Sequence, residues 1–493
     1  MRTALLWLRN DLRLHDHAPL AEAARAERLV AVYCIDPRHY EENDYGFPKA
    51  DSFRARFLLE SLRDLRARMR ARGGDLVVRT GAPEDIVPDL VRAAGAEAVF
   101  FHDEPMREER DVEDALRAAL PAGVAVRAHW GHTLLHPEDL DFPLDETPEN
   151  FSAFRKRVER GGLRVREEAP EPERLPPLPE GVEPGAIPDG PADLGLEDRA
   201  PDPHAPFRLV GGETQGLARV HAYAWEGDHL RVYKETRNGM LEPDDSTKLS
   251  AWLSNGCLSP RRTYYEVLRY ERERVQNEST YWLVFELLWR DYFRFYGAKH
   301  GDRLFYWTGP LRRRVTTHFD AGTFARWTDG RTGYPLVDAV MRELAATGFC
   351  SNRGRQNVAS LYAKGLGLDW RAGAAYFESL LVDYDVTSNW GNWCYVAGVG
   401  ADPRDREFNV ERQAEQYDPD ARFIKRWVPE LAALPPHLAR APYRGTADEL
   451  ARYAFKLGTD YPSPIELGGP TTKPGRARQD EPWKQARRDS HRR

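Results

Sequence analysis

The stretch Tyr281 to Tyr296, YWLVFELLWRDYFRFY, sets Glu286, Trp289, Arg290 and Phe293 on one face of a helix, where residues three, four and seven apart are neighbours. A carboxylate, an indole and a guanidinium on an otherwise apolar helix have two readings. They form a surface ion pair beside core aromatics, or the floor of a pocket for a planar polar ligand. A second cluster, Thr347 to Asn357 (TGFCSNRGRQN), holds Asn352, Arg353, Arg355 and Gln356 ahead of an apolar VASLY, as a helix start lining a cleft would. A third, Leu381 to Tyr395 (LVDYDVTSNWGNWCY), gathers Asp383, Asp385, Asn389, Trp390, Asn392 and Trp393 around one glycine. Its alternating carboxylates are a metal-ligand type, but no histidine or further acid stands at suitable spacing, so no metal is expected. In a fourth, Asp244 to Leu253 (DDSTKLSAWL), Asp, Ser and Thr precede a helical pattern. That reads as an N-cap, or as a helix terminus whose free N–H groups and positive dipole end accept a phosphate.

All four clusters fall between Phe207 and about Leu457, a region with most of the chain's tryptophans and a 3.6-residue period broken by Gly and Pro. This predicts an all-α domain. The preceding region has a different pattern: from Thr3 to about Trp130, short apolar runs (ALLWL, LVAVYCI, DLVVRTG, AEAVFFHD, VAVRAHWG) alternate with helical stretches such as Phe53 to Met69. Strands separated by helices imply a doubly wound parallel sheet, an α/β unit that binds ligands beyond the carboxyl ends of its strands. No GxGxxG follows the first strand, so a Rossmann dinucleotide site is not supported. Between Pro170 and Pro206 stand 11 prolines in 37 residues, with many acids, which reads as a long linker unable to form a packed element. The predicted division is an α/β domain over 1–132, a linker over 133–206, a helical domain over 207–460 and an irregular basic tail over 461–493.

With 71 basic against 78 acidic residues, the net charge of −7 gives no composition-level argument for nucleic acid, and any such affinity must come from a local patch. The four cysteines form no CxxC pair, which excludes a disulfide framework and a cysteine zinc site. Residues 4 to 8 already read as a buried strand, and no run of about 18 apolar residues occurs. A soluble, cytoplasmic monomer with no membrane partner is expected.

In this order and in one domain, the four clusters resemble the FAD-binding domain of the photolyase and cryptochrome superfamily. The phrases GFPKADSFRARFLLESLRDL, FELLWRDYFRFYG, GRTGYPLVDAVMRELAATGFCSNRGRQNVASL, LLVDYDVTSNWGNWCYVAGVGADPR and EQYDPDARFIKRWVPEL are similar to its cryptochrome DASH branch. The resemblance runs from about Leu5 to Leu431, the Pro-rich linker excepted. It implies FAD folded inside the helical domain, with Tyr233 and the run Ser246, Thr247, Lys248, Leu249 and Ser250 at its pyrophosphate. Arg355 and Asp383 would face each other beside the flavin, Asp385 would touch an edge of the cofactor, Asn389 would sit by its ring nitrogen, and Arg290 would stand with these groups. It further implies light-driven electron transfer from reduced FAD to a cyclobutane pyrimidine dimer flipped out of its strand, with Glu286, Trp289 and Asn352 contacting the lesion.

Two positions mark the DASH branch: Gln356 and Tyr395 stand where many duplex-repairing relatives carry methionine and tryptophan. Both weaken apolar packing around a flipped dimer, so repair of single-stranded DNA is expected over repair of duplex. The resemblance also implies an inward electron relay, with Trp393 and Trp370 as its inner members. Thr317 stands where the surface tryptophan is expected, leaving Tyr306, Trp307 or Trp327 as substitutes. An antenna pigment, a folate (5,10-methenyltetrahydrofolate), is implied near Glu108 or Glu109. Arg353, Arg404, Lys299 and Arg312 to Arg314 are candidate DNA contacts, since basic residues interleaved with aromatics suit a single strand. The leading expectation is a single-strand-preferring deoxyribodipyrimidine photo-lyase; the alternative is a blue-light receptor that signals with little or no repair.

Overall fold

The computed structural model describes residues 1–200, 202–205, 207–402, 404 and 406–468. The basic tail expected to be irregular lies, after Gly468, outside the described residues. Five strands, β1 (Thr3–Leu8), β2 (Arg28–Ile35), β3 (Leu76–Thr80), β4 (Ala98–His102) and β5 (Ala125–His129), form one parallel sheet in the order β3-β2-β1-β4-β5. All six residues of β1 are buried, as a central strand covered on both faces must be. Leu6 pairs with Ala31 on one side and Phe100 on the other. The strand order reverses at β1 and β4, so the loop after β1 is where such a sheet opens outward.

That loop locks the sheet domain to the helical half. The Arg13 guanidinium donates to the carbonyl of Gly256 at 3.0 Å, and His15 takes the Ser259 N–H at 3.1 Å on one ring nitrogen while meeting Glu213 at 2.6 Å with the other. Gly256 has φ +66, and a β-carbon there would lie 1.8 Å from the Asn10 carbonyl oxygen, so only glycine permits the approach.

The stretch 133–206 is not the unpacked linker its prolines imply. A helix over Phe151–Val158 buries Phe151 and Phe154 against the helical half. Further on, Leu175 is buried, and the carbonyls of Pro177 and Pro184 accept the N–H groups of Leu29 and Val78. Proline lacks a donor but keeps its carbonyl, so the extended chain satisfies N–H groups of the sheet domain and folds over it.

The helical half is built around the long helix Glu278–His300, capped by Asn277, and the helices Pro335–Thr347, Asn352–Ser360, Trp370–Leu380 and Val386–Ala397. Trp252, Trp327 and Trp370 are wholly buried in it. No helix among the described residues is long and apolar enough to cross a membrane.

Candidate functional site

A cleft of about 570 Å³ opens between the starts of the helices Asn352–Ser360 and Val386–Ala397, with Asn352, Arg355, Gln356, Asp383, Asn389 and Trp393 on its walls. Local capping sets both helix starts. The Ser351 hydroxyl accepts the Gly354 N–H at 3.0 Å, and the Asp385 carboxylate accepts the Ser388 N–H at 2.7 Å. Two of the sequence clusters therefore become facing walls.

Arg355 donates to Asp383 at 2.8 Å and to the Cys350 carbonyl at 2.9 Å. Asp383 Oδ1 is buried with no partner, an acceptor left for a donor-bearing ligand. Asn389 donates to the Ala374 carbonyl at 3.0 Å, which holds its amide in place while its remaining polar atoms stay available to the cleft. Asp385 is spent mainly on its own helix, also accepting from the Thr387 hydroxyl at 2.8 Å. Burial pushes its pKa up, but Arg290, Arg294 and the hydrogen bonds from Ser388 together hold it below the ordinary carboxylate range.

Glu286 and Arg290 share a helix face without pairing. Arg290 turns to the carbonyls of Leu253 and His132, because the N–H donors of a buried guanidinium must find acceptors. Glu286 pairs instead with Arg237 at 2.5 Å, yet burial still raises its pKa above the usual value. Arg237 and the neighbouring Asn238 escaped the sequence reading. Only their place one turn after Tyr233 hinted at them, since Arg237 N–H bonds the Tyr233 carbonyl at 2.9 Å. Trp289 stacks on Phe151 at 3.7 Å and 10°, so the supposed linker supplies one wall of the indole's pocket, and Tyr395 meets Trp289 edge-on at 6.1 Å.

The run Ser246 to Ser250 is not a capped helix start. The helix is a single turn, Ser250–Ser254, with no side-chain cap, and Lys248 sits at φ +57 ahead of it. Arg219 wraps this loop, donating to the carbonyls of Thr247 and Ser246 at 2.8 and 3.1 Å and to Asp244 at 2.8 Å. The loop is thus shaped by the Arg219 guanidinium together with its own Asp244 and with Asp245, which accepts the Leu241 and Glu242 N–H groups. Burial pulls the Lys248 ammonium's pKa down and raises that of Glu343, which faces it, to about 8. Tyr233 is buried close by Glu286.

Trp393 lies edge-on to Trp327 at 6.2 Å and to Tyr362 at 5.8 Å, whereas Trp370 meets Trp390 at 5.9 Å and donates to the Trp307 carbonyl at 3.2 Å. Trp327 therefore joins the rings around Trp393, while Thr317 is half-buried and Tyr306 exposed. Of the antenna candidates, Glu108 is exposed and bonded to Lys49. Glu109 turns inward, where burial and then Glu104 raise its pKa to about 7.

Among the DNA candidates, Arg404 and Arg312 are exposed, Tyr395 accepts from Arg406 at 3.2 Å, and Lys299 is committed to the Thr147 carbonyl at 2.6 Å and Glu149 at 2.7 Å. Arg353 is not a free surface cation. It is half-buried and donates to Gln356 at 3.0 Å and Asn238 at 2.9 Å.

Beyond the carboxyl ends of β1 and β4, the fold brings together Asp11, His17 and His102, a trio of metal-ligand types that the sequence did not flag. His102 bonds Asp11 at 2.8 Å, and the Arg9 N–H bonds the other Asp11 oxygen at 2.7 Å. His17 takes the Leu20 N–H on Nδ1, which puts its proton on Nε2, 3.1 Å from Asp11. A ligating imidazole would carry its proton on the other nitrogen, so His17 is not set to ligate, and its Nε2, near Asp11, makes no hydrogen bond.

A family model described as the FAD binding domain of DNA photolyase matches residues 282–467, and another described as DNA photolyase matches residues 4–176. The chain is 53% identical over 467 residues to a cryptochrome DASH of Gloeobacter violaceus, covering 94% of this chain and 93% of that protein. It is 47% identical to a cryptochrome DASH of Xenopus laevis, over 94% of this chain and 90% of the relative. Among solved structures, a Synechocystis cryptochrome superposes with a TM-score of 0.91 at 46% identity, covering 94% of this chain and 96% of that one. A class III photolyase of Agrobacterium tumefaciens reaches 0.82 at 28% identity, covering 95% of each chain. With a parallel-sheet domain joined to a helical FAD-binding domain, and with relatives of this identity along nearly its whole length, the chain belongs to the cryptochrome DASH branch of the photolyase and cryptochrome family.

Proposed function

We propose that this protein repairs cyclobutane pyrimidine dimers under blue light and prefers them in single-stranded DNA. The observation that carries the reading is the single cleft in which Asp383, Asn389 and Trp393 share walls with Asn352 and Gln356, so that one cavity has the groups for a flavin and for an extruded base. The residues fit FAD: a buried carboxylate oxygen lacks a donor, an arginine holds its partner oxygen, and a loop organised by Arg219 lies nearby. Reduced FAD, when bound there, supplies a light-excited electron donor. The chain's own work is to hold flavin and lesion in contact and to exclude water. It also offers polar contacts from Asn352 and from Glu286, a carboxyl whose pKa burial raises above the usual value while Arg237 holds it in place.

Two polar side chains support the single-strand preference. Gln356 lines the cleft and Tyr395, against Trp289, carries a hydroxyl engaged by Arg406, so each offers less apolar contact to repay extrusion from a duplex than an apolar side chain would. Arg404 and Arg312 are exposed, and as cations they would suit a flexible phosphate backbone. For the antenna, Glu109 is the favoured partner of a folate pterin, because a carboxylate turned inward can accept two parallel N–H bonds that exposed Glu108 would share with water.

The test is illumination of fully reduced holoprotein with a thymine dimer placed in single-stranded and in duplex oligonucleotides. Light-dependent loss of the dimer, faster from the single strand, is expected. No loss from the single strand overturns the repair reading in favour of a photoreceptor.

A further inference from the structure

Gln356 is a side chain whose two ends the fold has told apart. Arg353 donates to its Oε1 at 3.0 Å and is itself held on several sides, by Asn238 Oδ1 at 2.9 Å, by Gln413 Oε1 at 3.5 Å and by the Tyr417 ring, over which the guanidinium lies at 4.7 Å. A guanidinium has donors and no acceptor, so the atom facing it must be the amide carbonyl. The ambiguity that normally attends a glutamine amide is removed by this chemistry. The NH2 end of Gln356 therefore points away from Arg353, and Gln356 lines the cleft. Among the described residues no protein acceptor takes its N–H groups. The clamp is anchored from two other segments of chain, the Asn238 loop and the helix Val410–Tyr417, which makes a donor-outward Gln356 a fixed property of the wall.

We infer that Arg353 fixes Gln356 as a hydrogen-bond donor that selects pyrimidine lesions carrying a carbonyl at C4, as thymine and uracil do, over those carrying the cytosine amine. The inference rests on the reading of the cleft as the pocket for a flipped pyrimidine dimer. Thymine and uracil present an acceptor at C4 and cytosine presents a donor. Donor against donor leaves two polar groups facing each other unpaired, a mismatch more costly than a missing contact. Arg353 is a positioning residue in this scheme and Gln356 the selecting one. Dimers whose cytosine has deaminated to uracil would gain affinity.

The test measures dark binding of holoprotein to single-stranded oligonucleotides carrying a thymine–thymine, a thymine–uracil or a thymine–cytosine dimer, the last kept cold to prevent deamination. Repair rates under light are read in parallel. The native protein is expected to bind the first two alike and the third about tenfold more weakly. Gln356→Glu, which presents an acceptor, should bring the ratio to one or invert it. Arg353→Met, which lets the amide turn, should move the ratio toward one. The flavin absorption of each variant reports that the cleft is intact, and Gln356→Met, which has neither donor nor acceptor, should also abolish the ratio. Equal native affinity for all three dimers, or an unchanged ratio in Gln356→Glu, overturns this inference alone. Failure to bind any dimer overturns the pocket reading and the inference with it.

Discussion

A β-carbon on Gly373 would stand 2.4 Å from Cη2 of Trp393, so the helix Trp370–Leu380 has no side chain where the indole passes. That absence lets Trp393 lie against the helix and still form a wall of the cleft. Gly373→Ala should drive the ring out of position. We expect a loss of about 1–3 kcal/mol in stability, the usual cost of overpacking, with a shifted or weakened flavin absorption band. Thermal melting and the visible spectrum of purified protein check it.

Arg355 and Asp383 form an ion pair on the wall of the cleft. Removing the guanidinium leaves a buried carboxylate uncompensated, so Arg355→Ala should cost about 3–5 kcal/mol and most of the bound FAD, and Asp383→Asn distinctly less. Flavin-to-protein stoichiometry after refolding with excess FAD, together with melting temperature, distinguishes the two variants.

Glu109 makes a pH prediction with a definite sign. Burial and Glu104 raise its folded pKa to about 7, above the ordinary carboxyl range. Between those values the folded protein keeps a proton that the unfolded chain has released, so stability falls as pH rises through that window. In antenna-free protein, Glu109→Gln should flatten this slope between about pH 4.5 and 7, read from denaturant midpoints across pH. Folate affinity, if Glu109 accepts the pterin as a carboxylate, should rise over the same interval in the native protein and not in the variant.

Glu286→Ala should leave FAD binding largely intact and lower light-driven dimer loss by about tenfold or more, the range typical when one oriented polar group is deleted from a reacting site. Normal repair by this variant would remove Glu286 from the lesion contacts.

Trp393→Phe should retain flavin and lose light-driven reduction of oxidised FAD by an external thiol. Comparing Trp370→Phe with Trp327→Phe then identifies the outward path, because Trp327 packs on Trp393 while Trp370 packs on Trp390. A slower rate only in Trp327→Phe assigns the path to the buried ring; a slower rate only in Trp370→Phe assigns it to the Trp390 side.

Much of this protein was determined locally, by spacing and by residue type. The parallel sheet follows from apolar runs alternating with helical stretches. The two capped helices that wall the cleft follow from Ser351 and Asp385 standing just ahead of helical pattern. The meeting of Arg355 with Asp383, 28 residues apart, is implied by the family resemblance alone and not by spacing. The tertiary structure decided which charge met which. Glu286 took Arg237, 49 residues away, in place of its helix neighbour Arg290, and Arg353 took an amide in place of a phosphate. It also turned part of the predicted linker 133–206 from a tether into a wall, with Phe151 against Trp289. The reason is physical: helix caps and hydrophobic periods are satisfied by neighbours along the chain, whereas a long charged side chain forced into a nearly dry interior settles on whichever complementary group the packing brings within reach, and that group is rarely close in sequence.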